Sequence, residues 1–134
     1  MSKSLACVTL VVRDYEEAIT YFTKLLGFDL LEDTRLSNRK RWVVVGPARD
    51  TGTRLSLAKA ADKEQEVAIG RQAGGRVAFF LETDDFSRDF DTMKARGVKF
   101  LETPRREPYG TVAKFQDLYG NYWDLIQSQN VTPT

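Results

Sequence analysis

The sequence predicts an α+β chain made of two βαβββ units in tandem, forming a curved mixed sheet around a cleft with the helices packed on the outer face. Three observations carry this. Short runs alternate apolar and polar residues with the period of strands, and a helix-like stretch follows the first run in each half. The order of elements then repeats: Gly27-Phe28-Asp29-Leu30-Leu31-Glu32 answers to Gly97-Val98-Lys99-Phe100-Leu101-Glu102 at a constant offset of 70. Finally, Phe115 to Ile126 reads as strand, tight turn, strand, with Gly120-Asn121 as the turn. Units at about 5–60 and 76–127, joined by a polar connector at 61–75, make one domain over 1–134. A pair is not an array, so a solenoid is not expected.

In order, residues 5–13 alternate as a strand, with Val8, Leu10 and Val12 on one face and Cys7, Thr9, Val11 and Arg13 on the other. Asp14 is a helix N-cap, with Glu16 and Glu17 in the first turn. Ala18, Ile19, Phe22, Leu25 and Leu26 form an apolar stripe, and Gly27 ends the helix. Strands are expected at Phe28–Thr34, Trp42–Val45 and Arg54–Ala60, with a turn at Leu36–Arg41 and a loop at Gly46–Gly52. A short helix is expected near Asp62–Ile69, ahead of a flexible Gly70–Gly75 stretch. The second unit runs through a strand at Arg76–Thr83 and a helix capped by Asp84 or Asp85, carrying Phe86, Phe90 and Met93 and ended by Gly97. Strands at Val98–Thr103, Thr111–Phe115 and Tyr122–Gln127 complete it, and Val131–Thr134 reads as a frayed tail.

Composition narrows the function. Twenty basic and nineteen acidic residues leave a net charge of +1, which supplies no global field to attract nucleic acid or an anionic membrane. The basic run Arg35, Arg39, Lys40, Arg41 lacks an aromatic stacking platform and reads as a solvated hairpin tip. Leu5–Val12 is broken by Thr9 and too short to span a bilayer. The single cysteine, Cys7, excludes an internal disulfide, so a reducing cytoplasm is the expected location. There is no histidine. Ser-His-Asp and Cys-His triads are therefore excluded, as is any metal site that relies on imidazole.

The combination Val8-Thr9-Leu10-Val11-Val12-Arg13-Asp14-Tyr15 with Ala18, and later Phe115-Gln116-Asp117-Leu118-Tyr119-Gly120-Asn121-Tyr122-Trp123-Asp124-Leu125, resembles the vicinal oxygen chelate superfamily: glyoxalases, bleomycin-resistance proteins and extradiol dioxygenases. The resemblance implies up to four metal-ligand positions. Here they are Cys7, Ser56, Asp124, and either Ala78 or, with a one-residue slip, Val77. Such a set does not supply the three or more convergent donors of a Ni, Zn, Fe or Mn site, so no metal and no cofactor are expected. The resemblance also implies a homodimer.

Candidate ligand contacts follow from strand parity and from that resemblance. Trp123 and Leu125 share one face of the last strand; Tyr122, Asp124 and Ile126 share the other. Asp124 is a cleft anchor, a solvated strand carboxylate, or half of an ion pair with Lys114 or Arg54. Phe80 and Tyr122 share its face, as do Glu82 and Lys114. Cys7, Thr9 and Ser56 are the counterparts in the first unit, with Cys7 reading as an inert thiol. Tyr109 ends a Pro104–Tyr109 segment that is either a lid or a solvated connector. The expectation is a metal-free, glyoxalase/bleomycin-resistance-like protein that binds a small, partly apolar molecule, with no catalytic residue assigned. A related lyase or isomerase, and a partner-binding module with a filled cleft, are the alternatives.

Overall fold

The computed structural model describes residues 2–38, 40–49 and 52–129. Arg39, part of the Gly46–Gly52 loop and the Val131–Thr134 tail lie outside them. The chain divides into two compact units, Met1–Gln72 and Ala73–Thr134.

In the first unit β1 (Cys7–Val12) leads into α1 (Tyr15–Thr20), where the Asp14 carboxylate accepts the Glu17 amide at 2.9 Å and satisfies one of the helix's first donors. The helix continues as a π-helical segment, Tyr21–Leu25, closed by Leu26 N donating to Tyr21 O at 3.2 Å. This wider turn rotates the stripe. Tyr21 is buried beside Phe22, whereas Ile19 and Leu25, predicted on the apolar face, are only half-buried.

The strands β2 (Asp29–Arg35), β3 (Arg41–Gly46) and β4 (Arg54–Lys59) join β1 in the order β1-β4-β3-β2. β1 and β4 are parallel; the other pairs are antiparallel. Leu10, Val12, Val43, Val45, Leu55 and Leu57 are buried with Ala18 and Phe22 as the core of this unit. Most of the predicted connector belongs here too. α2 (Lys63–Ala68) starts on an Asp62 cap and packs beside β1 without burying any of its residues. Gln72 then closes the open edge of β1: its Oε1 accepts the Val11 amide at 3.3 Å and its Nε2 donates to Thr9 O at 2.8 Å. A side-chain amide here occupies the donor and acceptor that a neighbouring strand would otherwise find.

The second unit repeats the plan with β5 (Val77–Glu82), α3 (Phe86–Ala95), β8 (Gly110–Gln116) and β9 (Tyr122–Ser128). β5 is parallel to β9, and β8 is antiparallel to it. Asp85 is the helix cap, accepting the Arg88 amide at 3.1 Å. The remaining strand departs from prediction. Instead of Val98–Thr103 there are two short pieces, β6 (Lys99–Phe100) and β7 (Arg105–Glu107), both antiparallel to β8. Two residues cause the break. Pro104 has no amide to give a ladder, and Glu102 turns its side chain inward so that Oε2 accepts the Lys114 amide at 2.8 Å. The Pro104–Tyr109 segment therefore carries β7, and β7 and β8 form a hairpin through it.

Gly110 fixes that hairpin. Its φ is +148°, and a Cβ there would lie 2.2 Å from Gln127 O, so only glycine lets β8 start this close to β9.

Candidate functional site

The motif around Gly120-Asn121 is not the two-residue turn its sequence suggests. β8 ends at Gln116 and β9 begins at Tyr122, leaving a five-residue loop in which Gly120 has φ +101° and Asn121 does not have a positive φ. Asp117 organises it. Its Oδ1 accepts the amides of Tyr119 (2.9 Å), Gly120 (3.0 Å) and Asn121 (3.0 Å). Its Oδ2 accepts Asn121 Nδ2 at 3.1 Å and Trp123 Nε1 at 3.0 Å. One buried carboxylate thus ties the loop's backbone to the indole of β9, and Trp123 stacks on Phe115 with ring centroids 5.6 Å apart. That anchors the register of β9, and with it Asp124.

Pairing then sets the site. Phe80 on β5, Asp124 on β9 and Lys114 on β8 lie in one lateral row. Tyr122 lies two residues before Asp124 on the same face, with Lys114 Nζ 5.6 Å from its ring centroid. Glu82 is level with Ile126 and exposed. Phe80 keeps 67% of its surface accessible, whereas Asp124 keeps 8%. No ion pair joins Asp124 to Lys114 among the described residues, and Asp124 Oδ1 is buried with no hydrogen-bond partner there. Burial pushes its pKa above the ordinary carboxylate value. The charges of Arg105 and Lys114 pull it back down, and that of Glu102 adds to the rise.

Arg105 and Glu102 have no counterpart among the predicted site residues. Arg105 Nε meets Glu102 Oε2 at 3.1 Å, its Nη1 meets Glu107 Oε2, and Tyr109 OH lies 3.5 Å from the same nitrogen. Those hydrogen bonds hold the guanidinium protonated far above neutral pH. Tyr109 is 53% exposed in the hairpin connection. The spacing Glu102-x-x-Arg105 was visible in the sequence, but only the break at Pro104 brings Arg105 toward Asp124.

In the first unit the matching row is Thr9 on β1, Ser56 on β4 and Val44 on β3. Thr9 is exposed, Cys7 half-buried and Ser56 buried. The choice between Ala78 and Val77 as the second-unit counterpart of Cys7 has a structural cause. β5 carries a bulge in which Val77 pairs with Tyr122 and Phe79 with Trp123, leaving Ala78 as the extra residue. Counting residues selects Ala78; counting pairs selects Val77. Neither has a donor atom to offer a cation. The residues present therefore do not fit a chelated transition metal, and no group of three or more Cys, Asp or Glu side chains among the described residues is placed to hold one.

Cavities lie elsewhere among the described residues. One of about 550 Å³ is lined by Phe90, Phe100, Leu101 and Pro104 beside α3 and β6. Another, of about 480 Å³, lies in the first unit beside Tyr15 and Arg41. Asp124 lines neither. No helix among the described residues is long and apolar enough to cross a membrane.

Residues 4–125 match the model of the family described as Glyoxalase/Bleomycin resistance protein/Dioxygenase superfamily. An uncharacterized protein of Shewanella frigidimarina (strain NCIMB 400) is 51% identical over 134 residues, covering 99% of each chain. Among solved structures, UcmS2 superposes with a TM-score of 0.82 at 28% identity, over 96% of this chain and all of its own. TnmS3, described as an antibiotic binding protein from Streptomyces sp. CB03234, superposes with a TM-score of 0.76 at 28% identity, over 96% of this chain and 98% of its own.

Proposed function

The chain belongs to the Glyoxalase/Bleomycin resistance protein/Dioxygenase superfamily, and from that membership we propose that it binds a small, partly apolar, antibiotic-like molecule on the β5-β9-β8 face, without a metal. One observation carries the reading: a buried carboxylate oxygen with no partner among the described residues stands in register with a phenyl ring left two-thirds exposed. Proteins rarely leave a buried polar atom unpaired without a functional reason, and a large exposed aromatic ring is a natural contact for a planar ligand. Phe80 supplies the apolar surface, Asp124 the polar contact, and Lys114 with Tyr122 the flank.

Recognition asks less of these residues than reaction does. Polarising a substrate oxygen through a chelated cation needs donors that Ser56 and Ala78 or Val77 do not provide. The similarity to TnmS3 favours the same choice of binding over turnover. We propose a homodimer on the family resemblance, with light scattering on the purified chain as the check.

The test is a thermal-shift screen against bleomycin and planar aromatic antibiotics, repeated with Asp124→Ala. A compound that stabilises the native chain and loses that effect in the variant supports the reading. Full retention removes Asp124 from the site, and stoichiometric Ni, Zn or Fe in the purified protein contradicts the metal-free assignment.

A further inference from the structure

The 480 Å³ groove of the first unit has a different chemistry from the Asp124 face. Four cations, Arg35, Lys40, Arg41 and Lys59, line it. Arg35 pairs directly with Arg41 across β2 and β3. Lys59, the last residue of β4, lines the same groove as Arg41. Neighbouring strands lie about 4.8 Å apart, so Arg35 and Arg41 stand side by side, and like charges placed directly opposite repel. Lys40 and Asn38 complete the rim.

Arg41 is balanced within the fold. Asp33 Oδ2 lies 2.7 Å from its Nη2 and Glu16 Oε1 lies 2.6 Å from its Nη1, while its guanidinium sits 5.1 Å from the Tyr15 ring centroid. Asp14, the acid lining the groove, is turned toward the Glu17 amide as a helix cap. Arg35, Lys40 and Lys59 have no carboxylate within ion-pair distance among the described residues. The groove therefore keeps an excess of positive charge in a concave space of small-molecule size.

We infer that this groove is a second binding site, taking a small molecule through a phosphoryl group of at least two negative charges. Arg35 offers the planar fork that matches phosphoryl oxygens, and Lys40 and Lys59 add point charges. Arg41, locked by two carboxylates, serves as the rigid wall. A concave pocket favours a compact anion over a polynucleotide, which tracks a continuous basic surface.

Isothermal titration of the full chain with inorganic pyrophosphate at low salt tests this. Saturable binding is expected, weakened at least about tenfold by Arg35→Gln or Lys59→Gln, each of which removes one charge-assisted contact. Both residues are exposed, so neither change threatens the fold. Lys99→Gln, at an exposed cation of the second unit, should leave binding unchanged. The inference is overturned by absence of saturable binding, by equal loss in Lys99→Gln, or by malonate binding as tightly as pyrophosphate. Tight binding of a single-stranded oligonucleotide that pyrophosphate cannot displace also overturns it.

Discussion

Replacing Asp124 by Asn should change how stability depends on pH more than it changes stability itself. The side chain is 8% exposed and one of its oxygens has no partner among the described residues. Burial raises its pKa in the folded chain above the ordinary value of 3.8. Between those two pKa values the folded state holds a proton that the unfolded state has lost. Stability attributable to this group is therefore full below pH 3.8 and falls as pH rises through the folded pKa. An unsatisfied buried polar group costs about 1–3 kcal/mol, and more when charged; the opposing fields of Arg105 and Lys114 offset part of that, and an effect of about 1–2 kcal/mol is expected. Asn has the same shape and does not titrate. Urea unfolding of both proteins from pH 4 to pH 8 should then show the variant gaining about 1–2 kcal/mol on the native chain, or roughly 3–8 °C in Tm. A difference that stays flat with pH, or that grows in the opposite direction, refutes the placement of an ionisable group in a desolvated position.

The other predictions concern the scaffold. Asp117→Ala removes an acceptor of five hydrogen bonds and should destabilise the fold by about 3–5 kcal/mol, read as a lower urea midpoint; Asp117→Asn, which keeps an acceptor oxygen, should cost less. Gly110→Ala places a methyl group 2.2 Å from Gln127 O at φ +148° and should cost about 2–4 kcal/mol, with faster amide exchange along Arg105–Glu107. Denaturation at the native chain's own midpoint would show that β8 and β9 tolerate a wider separation.

Much of this architecture was legible because side-chain parity and capping are local. Asp14 and Asp85 announce their helices, and the alternation at Cys7–Val12 and Tyr122–Ser128 separates the core face from the face that bears Asp124. What escaped the sequence depended on contacts distant along the chain. Tyr21 is buried because the helix widens after Thr20, a change no 3.6-residue pattern encodes. Glu102 breaks a strand that reads as continuous because its carboxylate, twelve residues from Lys114, takes over a ladder position. Gly120-Asn121 resembles a hairpin turn, yet the buried Asp117 carboxylate imposes a longer loop. The uncertainty between Ala78 and Val77 could not be resolved by counting, since a bulge gives each count its own answer. The basic run at Arg35–Arg41 looked like a solvated tip, while the pairing of β2 with β3 sets Arg35 against Arg41 at the edge of a groove.

The face shared by Phe80, Lys114 and Asp124 is open to test by one titration. A compound selected by thermal shift is titrated calorimetrically into the native chain, Phe80→Ala and Asp124→Asn. Phe80 is exposed and its removal should leave the fold intact; loss of its ring should weaken binding about tenfold, and loss of the carboxyl group should weaken it further or alter its pH dependence. Unchanged affinity in both variants contradicts the assignment of this face as the ligand site.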